Sequence, residues 1–331
     1  MKHRNIAIFV PHNGCPCQCS FCNQKIISGE LNQPSAESVK DAVRVALASE
    51  GKYEKTELAF FGGSFTAIDR AYMISLLEAA NGFIKNRSID GIRISTRPDA
   101  IDGEIIDILK EYGVTAVELG AQSMDEKVLE LNRRGHTVKD VENAFYKLRD
   151  AGFETGLQMM TGLYGSLYEK DLKTAERIIE LKPDTARIYP TVVLKGTYLG
   201  ELFEKGEYVP MTLDETVKLC AEILPKFRNA GINVIRLGLH YSDDVKENFL
   251  AGGFHPALME LVEGEIYLNE ALKILKNYPK NKPLTLYVNE KELSKMKGQQ
   301  KRNEKALINQ GFCCKIKGNL FLDKYTVMVE E

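Results

Sequence analysis

Three cysteines, Cys15, Cys19 and Cys22, stand within eight residues of one another in the stretch GCPCQCSFC from Gly14 to Cys22. Spacings of this kind let one loop fold its thiolates around a single metal cluster. Three protein ligands leave one iron of a [4Fe-4S] cube without a protein ligand, and an open metal position is a reactive one. Two other readings stand beside it. Cys17 lies inside the stretch, so the four cysteines together are also candidates for a structural zinc site or a closed electron-transfer cluster. A zinc site of two knuckles lacks its second half, because the sequence holds no other Cys-x-x-Cys or Cys/His pair. A disulfide framework is disfavoured by seven cysteines, an odd number, in 331 residues without a recognisable secretory signal.

These thiols must be positioned, and the surrounding pattern says how. Apolar runs at Ile6–Val10, Leu58–Phe61, Gly91–Ser95, Ala116–Gly120, Gly156–Met160, Thr185–Tyr189 and Asn233–Leu237 read as strands. Helical periodicity fills the intervals at 36–48, 70–85, 103–112, 138–151, 168–181 and 213–230, the last opening on the capping box Thr212-x-x-Glu215. Repeated βα units require parallel strands and right-handed crossovers, and six or seven of them curl into a complete or partial barrel. The expected class is α/β: a partial (β/α)6-type TIM barrel over residues 1–240, with a small basic α+β extension over 241–331. An open doubly wound sheet has the same periodicity. The barrel is favoured because every strand end carries polar or glycine-rich residues: the cysteine loop, FGGSF at 61–65, STRPD at 95–99, ELGAQS at 118–123, QMMTG at 158–162, RIYPT at 187–191 and RLGLH at 236–240. Chemistry on such a fold sits at that rim.

Several of these strings, in this order, resemble the radical S-adenosylmethionine (SAM) superfamily, in particular the radical SAM domain of the Elongator catalytic subunit and its shorter uncharacterised bacterial relatives. They are the cysteine motif with Phe21 before its last cysteine, Phe61–Phe65, Thr96–Asp99, Val117–Ser123, Arg134–Thr137, Met159–Gly162 and Ile188–Thr191. The resemblance covers residues 2 to 240. It implies an enzyme that binds a [4Fe-4S] cluster through Cys15, Cys19 and Cys22, with Cys17 spare. It also implies that SAM chelates the open iron and is cleaved by one electron, from an external reductant, to methionine and a 5′-deoxyadenosyl radical. A similar branch, the coproporphyrinogen dehydrogenases, has a glutamine and an arginine where Gln122 and Arg134 stand. The resemblance therefore makes Gln122 and Arg134 candidates for binding SAM, with Gln158 a departure from that branch.

Physical chemistry adds further candidates. Gly62 and Gly63 permit a ligand to approach the backbone closely and offer it free amides and carbonyls. Arg187, Tyr189, Lys195 and Arg236 lie on the later strands, opposite the cluster, and form an electropositive face that suits an anionic substrate; a buried carboxylate such as Glu118 is the competing partner for each. His136 reads as a structural hydrogen bond beside a helix cap at Thr137.

The chain is 44% apolar and 27% charged, an ordinary globular mixture, with a net charge of −2. No apolar run reaches the length of a membrane span, and a cytoplasmic protein is expected. Residues 273–331 hold thirteen Lys/Arg against six Asp/Glu, a net of +7, which leaves −9 for the rest. A basic appendage suits phosphate-backbone contact, and the resemblance points to transfer RNA as partner. The residues after His240 are not expected to form the acetyltransferase part that follows in Elongator. Two other functions stay open: a non-catalytic metal-binding protein that docks nucleic acid through its basic tail, and a coproporphyrinogen-dehydrogenase-like oxidoreductase.

Overall fold

The computed structural model describes residues 3–11, 15, 19–29, 32–49, 51, 53–280 and 282–331. Strands β1 (His3–Val10), β2 (Lys55–Gly62), β3 (Gly91–Thr96), β4 (Val114–Gln122), β5 (Glu154–Thr161) and β6 (Thr185–Pro190) lie side by side in chain order. The chain then leaves the sheet for a short β7 (Val192–Leu194) and returns as β8 (Asn233–Leu237), the seventh strand of the sheet. Every neighbouring pair in it is parallel. A doubly wound sheet reverses its order at a switch point; this one never does. Among the described residues β1 and β8 form no ladder with each other, so the sheet is a curled partial barrel, as expected.

The central strands β2 to β5 are covered on both faces, which gives them near-continuous apolar runs, while the edge strands β1 and β8 alternate more buried and more exposed residues. Leu58, Ala59 and Phe60 on β2 and Ile92 and Ile94 on β3 are fully buried. The helices between them start at side-chain caps from Asp69, Asp102, Asp125 and Thr137. The capping box at Thr212 is present: the Thr212 amide donates to Glu215 at 2.8 Å, and the Glu215 amide donates to the Thr212 hydroxyl at 3.3 Å.

The chain folds as two compact units, Met1–Pro210 with Lys226–Gly252, and Met211–Pro225 with Gly253–Glu331. Against the expected boundary after residue 240, this division falls after Gly252. The reason is β9 (Phe249–Gly252), which pairs antiparallel with β7 and so stays with the first unit. The second unit sets β10 (Pro283–Val288) between a parallel β11 (Cys313–Gly318) and an antiparallel β12 (Met328–Glu330). Leu284, Leu286, Val288, Met296 and Leu307 form its core together with Tyr267, Ala271 and Leu275 of the helix Leu258–Leu275. Among the described residues no helix is long and apolar enough to cross a membrane.

Candidate active site

At the carboxyl end of the sheet, Gly62 lies opposite Val10 in the β1–β2 register. Its φ is +112°, and a Cβ added there would stand 2.8 Å from the Val10 carbonyl oxygen. Only glycine fits this backbone. The next amide, Gly63, donates to the same carbonyl at 2.9 Å. Ser64 is fully buried, and a chain of hydroxyls fixes its loop to the end of β3. Thr66 donates to the Ala100 carbonyl at 2.7 Å, so Thr96 must donate to Thr66 at 2.6 Å and Ser64 to Thr96 at 2.9 Å. Ser64 is thereby engaged in holding the glycine loop, and its oxygen also accepts from the Arg97 amide at 3.1 Å.

Cys15, Cys19 and Cys22 all line one cavity of about 620 Å³, together with Gly62, Gly63, Gln122 and Arg134. Cys17 and His12 lie outside the described residues. Behind Cys19, Ser20 clips the loop to the turn after the helix Glu126–Leu131: its amide donates to the Asn132 carbonyl at 3.1 Å and its hydroxyl to Asn132 Oδ1 at 2.6 Å. The Asn132 amide group is in turn held by the carbonyls of Val128 and Tyr164, at 2.8 and 2.9 Å. Neither Ser20 nor Asn132 stands out in sequence. Burial, with the neighbouring Cys19 adding to it, pushes the Cys22 thiol up to about 12, so a bound cation is what would ionise it. Among the described residues no three His, Cys, Asp or Glu side chains close on a single ion; the thiols border a cavity rather than converge on a point.

Gln122 and Arg134, expected at a cofactor, border the same cavity. Gln122 has a left-handed backbone, φ +64°, at a bulge in the β4–β5 ladder. Gly120 makes room for both side chains: a Cβ there would lie 2.8 Å from Gln122 Nε2 and 3.3 Å from Arg134 Nη2. Gln122 Oε1 and Arg134 Nε are buried and have no hydrogen-bond partner among the described residues. Orphaned buried polar atoms on two residues that line the cavity fit a polar site. Arg134 does not present an open fork to the cavity, because Nη1 donates to Cys19 Sγ at 3.1 Å and Nη2 to the Gly120 carbonyl at 2.8 Å. His136 Nε2 lies 3.3 Å from the Ala121 carbonyl and must donate to it. Burial, then the charge of Arg134, push this imidazole down to about 4, which keeps it neutral. The helix Val138–Asp150 begins at Thr137 in a capping box with Asp140, as expected.

A second chamber of about 490 Å³ adjoins the first and shares Phe21, Cys22, Gly62, Ser95, Gln122 and Gln158 with it. Of the four substrate candidates, Arg187, Tyr189 and Arg236 line it, as does His240. Lys195 does not: it is exposed, and its ammonium turns to the Glu247 carbonyl at 3.4 Å because β7 and β9 draw this segment out of the sheet. Arg187 is not a bare positive charge either. Its Nη2 donates to Glu118 Oε1 at 2.9 Å and its Nε to Glu118 Oε2, while Gln158 donates to the same carboxylate at 3.0 Å. Glu118 also meets Arg93, which is itself paired with Glu57 and Glu154.

A family model described as the radical SAM superfamily matches residues 9–178, and one described as a Radical_SAM C-terminal domain matches residues 183–267. The chain is 34% identical over 197 residues to a tRNA uridine(34) acetyltransferase of Methanocaldococcus jannaschii, a match that covers 52% of this chain and 36% of that protein. It is 30% identical over 229 residues to an uncharacterised protein of the same organism, covering 67% of each. Among solved structures it resembles an N-terminally truncated Elp3 of Methanocaldococcus infernus, with a TM-score of 0.62 and 24% identity over 83% of this chain and 63% of that one, a likeness of fold.

Proposed function

This chain belongs to the radical SAM superfamily, a family of enzymes, and on that premise we propose that Cys15, Cys19 and Cys22 hold a [4Fe-4S] cluster whose remaining iron binds SAM. The observation that carries the proposal is that the three cysteines, Gly62, Gly63, Gln122 and Arg134 all line one cavity. Bound there, cluster and SAM supply one-electron chemistry that yields a 5′-deoxyadenosyl radical for hydrogen abstraction, given an external reductant. The chain's own residues do the positioning. Ser20 and Asn132 hold the cysteine loop, Arg134 donates a charge-assisted hydrogen bond to the sulfur of Cys19, and the Gly62-Gly63 backbone admits the ligand's polar end. Gln122 Oε1 and Arg134 Nε are the polar atoms left for the cofactor.

The reacting part of the substrate occupies the adjoining chamber. One matched relative is by name a tRNA-modifying enzyme, and residues 273–331 carry a net charge of +7, so we take transfer RNA as the partner to test first. Thiols that must stay reduced for a cluster fit a cytoplasmic setting.

The test is anaerobic. Reconstituted protein is analysed for iron and sulfide, reduced with dithionite and given SAM, while the electron paramagnetic resonance signal and 5′-deoxyadenosine are followed. Alanine at Cys15, Cys19 or Cys22 should abolish the cluster, and alanine at Cys17 should leave the iron content near wild type. Equal loss in all four variants, or a cluster signal indifferent to SAM, would overturn the three-cysteine assignment.

A further inference from the structure

We propose that the chamber beside the cysteine cavity binds an anionic group carried on an apolar or aromatic body, with Arg236 as its anchor. Its role as a substrate site rests on the radical SAM reading; the binding chemistry does not. The walls are largely apolar, built from Phe9, Phe61, Met160, Val192 and Leu239, and among the described residues no carboxylate lines them. Two guanidinium groups do. Arg187 and Arg236 face each other in the β6–β8 register. They look alike, but Glu118 compensates the first through paired hydrogen bonds. Arg236 spends only Nε, on the Gly238 carbonyl at 2.9 Å, and has no acid partner among the described residues. That bond aims the guanidinium while leaving both terminal nitrogens to a ligand. A guanidinium keeps its charge at any pH of interest, and its planar fork matches a carboxylate or a phosphate monoester equally. About 490 Å³ holds a body of one or two rings with its head group, not a folded segment or a duplex.

Three probes of one body separate charge from shape: 1-naphthylacetate, 1-naphthyl phosphate and the neutral 1-naphthylacetamide. Each is titrated calorimetrically into the anaerobically reconstituted full chain. Wild type should bind at least one of the anions about tenfold or more tighter than the amide. Which anion wins tells a carboxylate ligand from a phosphate ester. R236Q should erase the preference and leave the amide within about twofold of wild type, whereas R236K, which keeps the charge but loses the fork and the bond to Gly238, should retain only part of the preference. No preference in wild type, or an undiminished one in R236Q, would overturn the proposal. Should R236Q lose the amide as well, the chamber has been disturbed and R236K decides: a weakened preference with normal amide binding upholds the anchor, and an undiminished one sinks it. The parallel deoxyadenosine assay separates the two claims. Absent deoxyadenosine with an intact anion preference removes the radical reading alone, and the reverse result removes only the anion site.

Discussion

Replacing Glu118 by Gln deletes one negative charge from the middle of the sheet and leaves the side-chain shape unchanged. Glu118 is 1% exposed and accepts from Arg187, Arg93 and Gln158. Arg93 keeps Glu57 at 3.0 Å and Glu154 at 2.6 Å, so the loss falls on Arg187. What Arg187 retains is the Tyr189 hydroxyl at 3.4 Å and the face of Phe61 at 5.0 Å. Orphaning one member of a buried ion pair costs about 3–5 kcal/mol. Arg187 keeps some access to solvent, with its side chain 13% exposed, and Gln still offers one acceptor, which sets the expectation near the lower figure, about 3 kcal/mol. Hydrogen exchange read by mass spectrometry on peptides from β4 and β6 measures this locally and needs no two-state unfolding. A loss of about 3 kcal/mol appears there as roughly a hundredfold faster exchange. The double variant E118Q/R187M removes the orphaned charge and should recover more than half of the loss. In the naphthyl titrations E118Q should act in the opposite direction and tighten the anions, because Arg187 then stands uncompensated beside Arg236. The reasoning is refuted if E118Q changes exchange by less than about threefold, or if the double variant exchanges as fast as the single one.

Gly62→Ala must move backbone, since its Cβ would lie 2.8 Å from the Val10 carbonyl at a positive φ; reconstituted iron and SAM binding should both fall, measured by colorimetry and calorimetry. Ser20→Ala leaves Asn132 Oδ1 without its donor and should cost about 1–3 kcal/mol at the cysteine loop, seen as faster exchange in peptides spanning Asn132 while overall fold by circular dichroism is kept. Burial raises the Asp171 carboxyl to about 6, where it accepts from the Gly162 amide at 2.7 Å. Between about pH 4 and pH 6 the native state therefore binds more protons there than the unfolded chain, and this group makes stability fall as pH rises, by up to about 3 kcal/mol. His136, pushed down to about 4, does the reverse: the unfolded chain binds the extra proton, and stability rises from about pH 4 to pH 6.5 by a similar amount. Wild type should accordingly be nearly flat across pH 4–6 in urea unfolding followed by tyrosine fluorescence. Asp171→Asn should expose the rising His136 slope and His136→Gln the falling one; a flat profile in both variants would contradict the assignment.

Some of this was legible in the sequence and some was not, and the difference is physical. Central strands buried on both faces announce themselves as apolar runs and the edge strands β1 and β8 by alternation, so all seven were visible, and the glycines and cysteines at their ends located the rim. Their limits ran short because hydrogen-bond ladders, rather than side-chain pattern, set where a strand stops. β1 begins at His3 since its ladder continues back to Lys55. The segment from Val192 to Gly252 hid two short strands, since three or four residues give period-two alternation too little room to register. Polar partnerships left no local trace at all. Ser20 and Asn132 are 112 residues apart, and the partners that occupy the two ends of Arg134, Cys19 and Gly120, lie on other elements.

The strand-end cations show the same limit where it touches function. Lys195, Arg187 and Arg236 all follow or end strands and all read as candidates for an anion. One is carried out of the chamber by β7, one is compensated from β4, and one is left. A cation's meaning lies in its counter-charge, and the residue that decides between Arg187 and Arg236 is Glu118, on a strand whose own end motif contains neither. Charge inventory along the chain can therefore nominate an anion site on a barrel rim, but only the pairing across the sheet can say which guanidinium serves it.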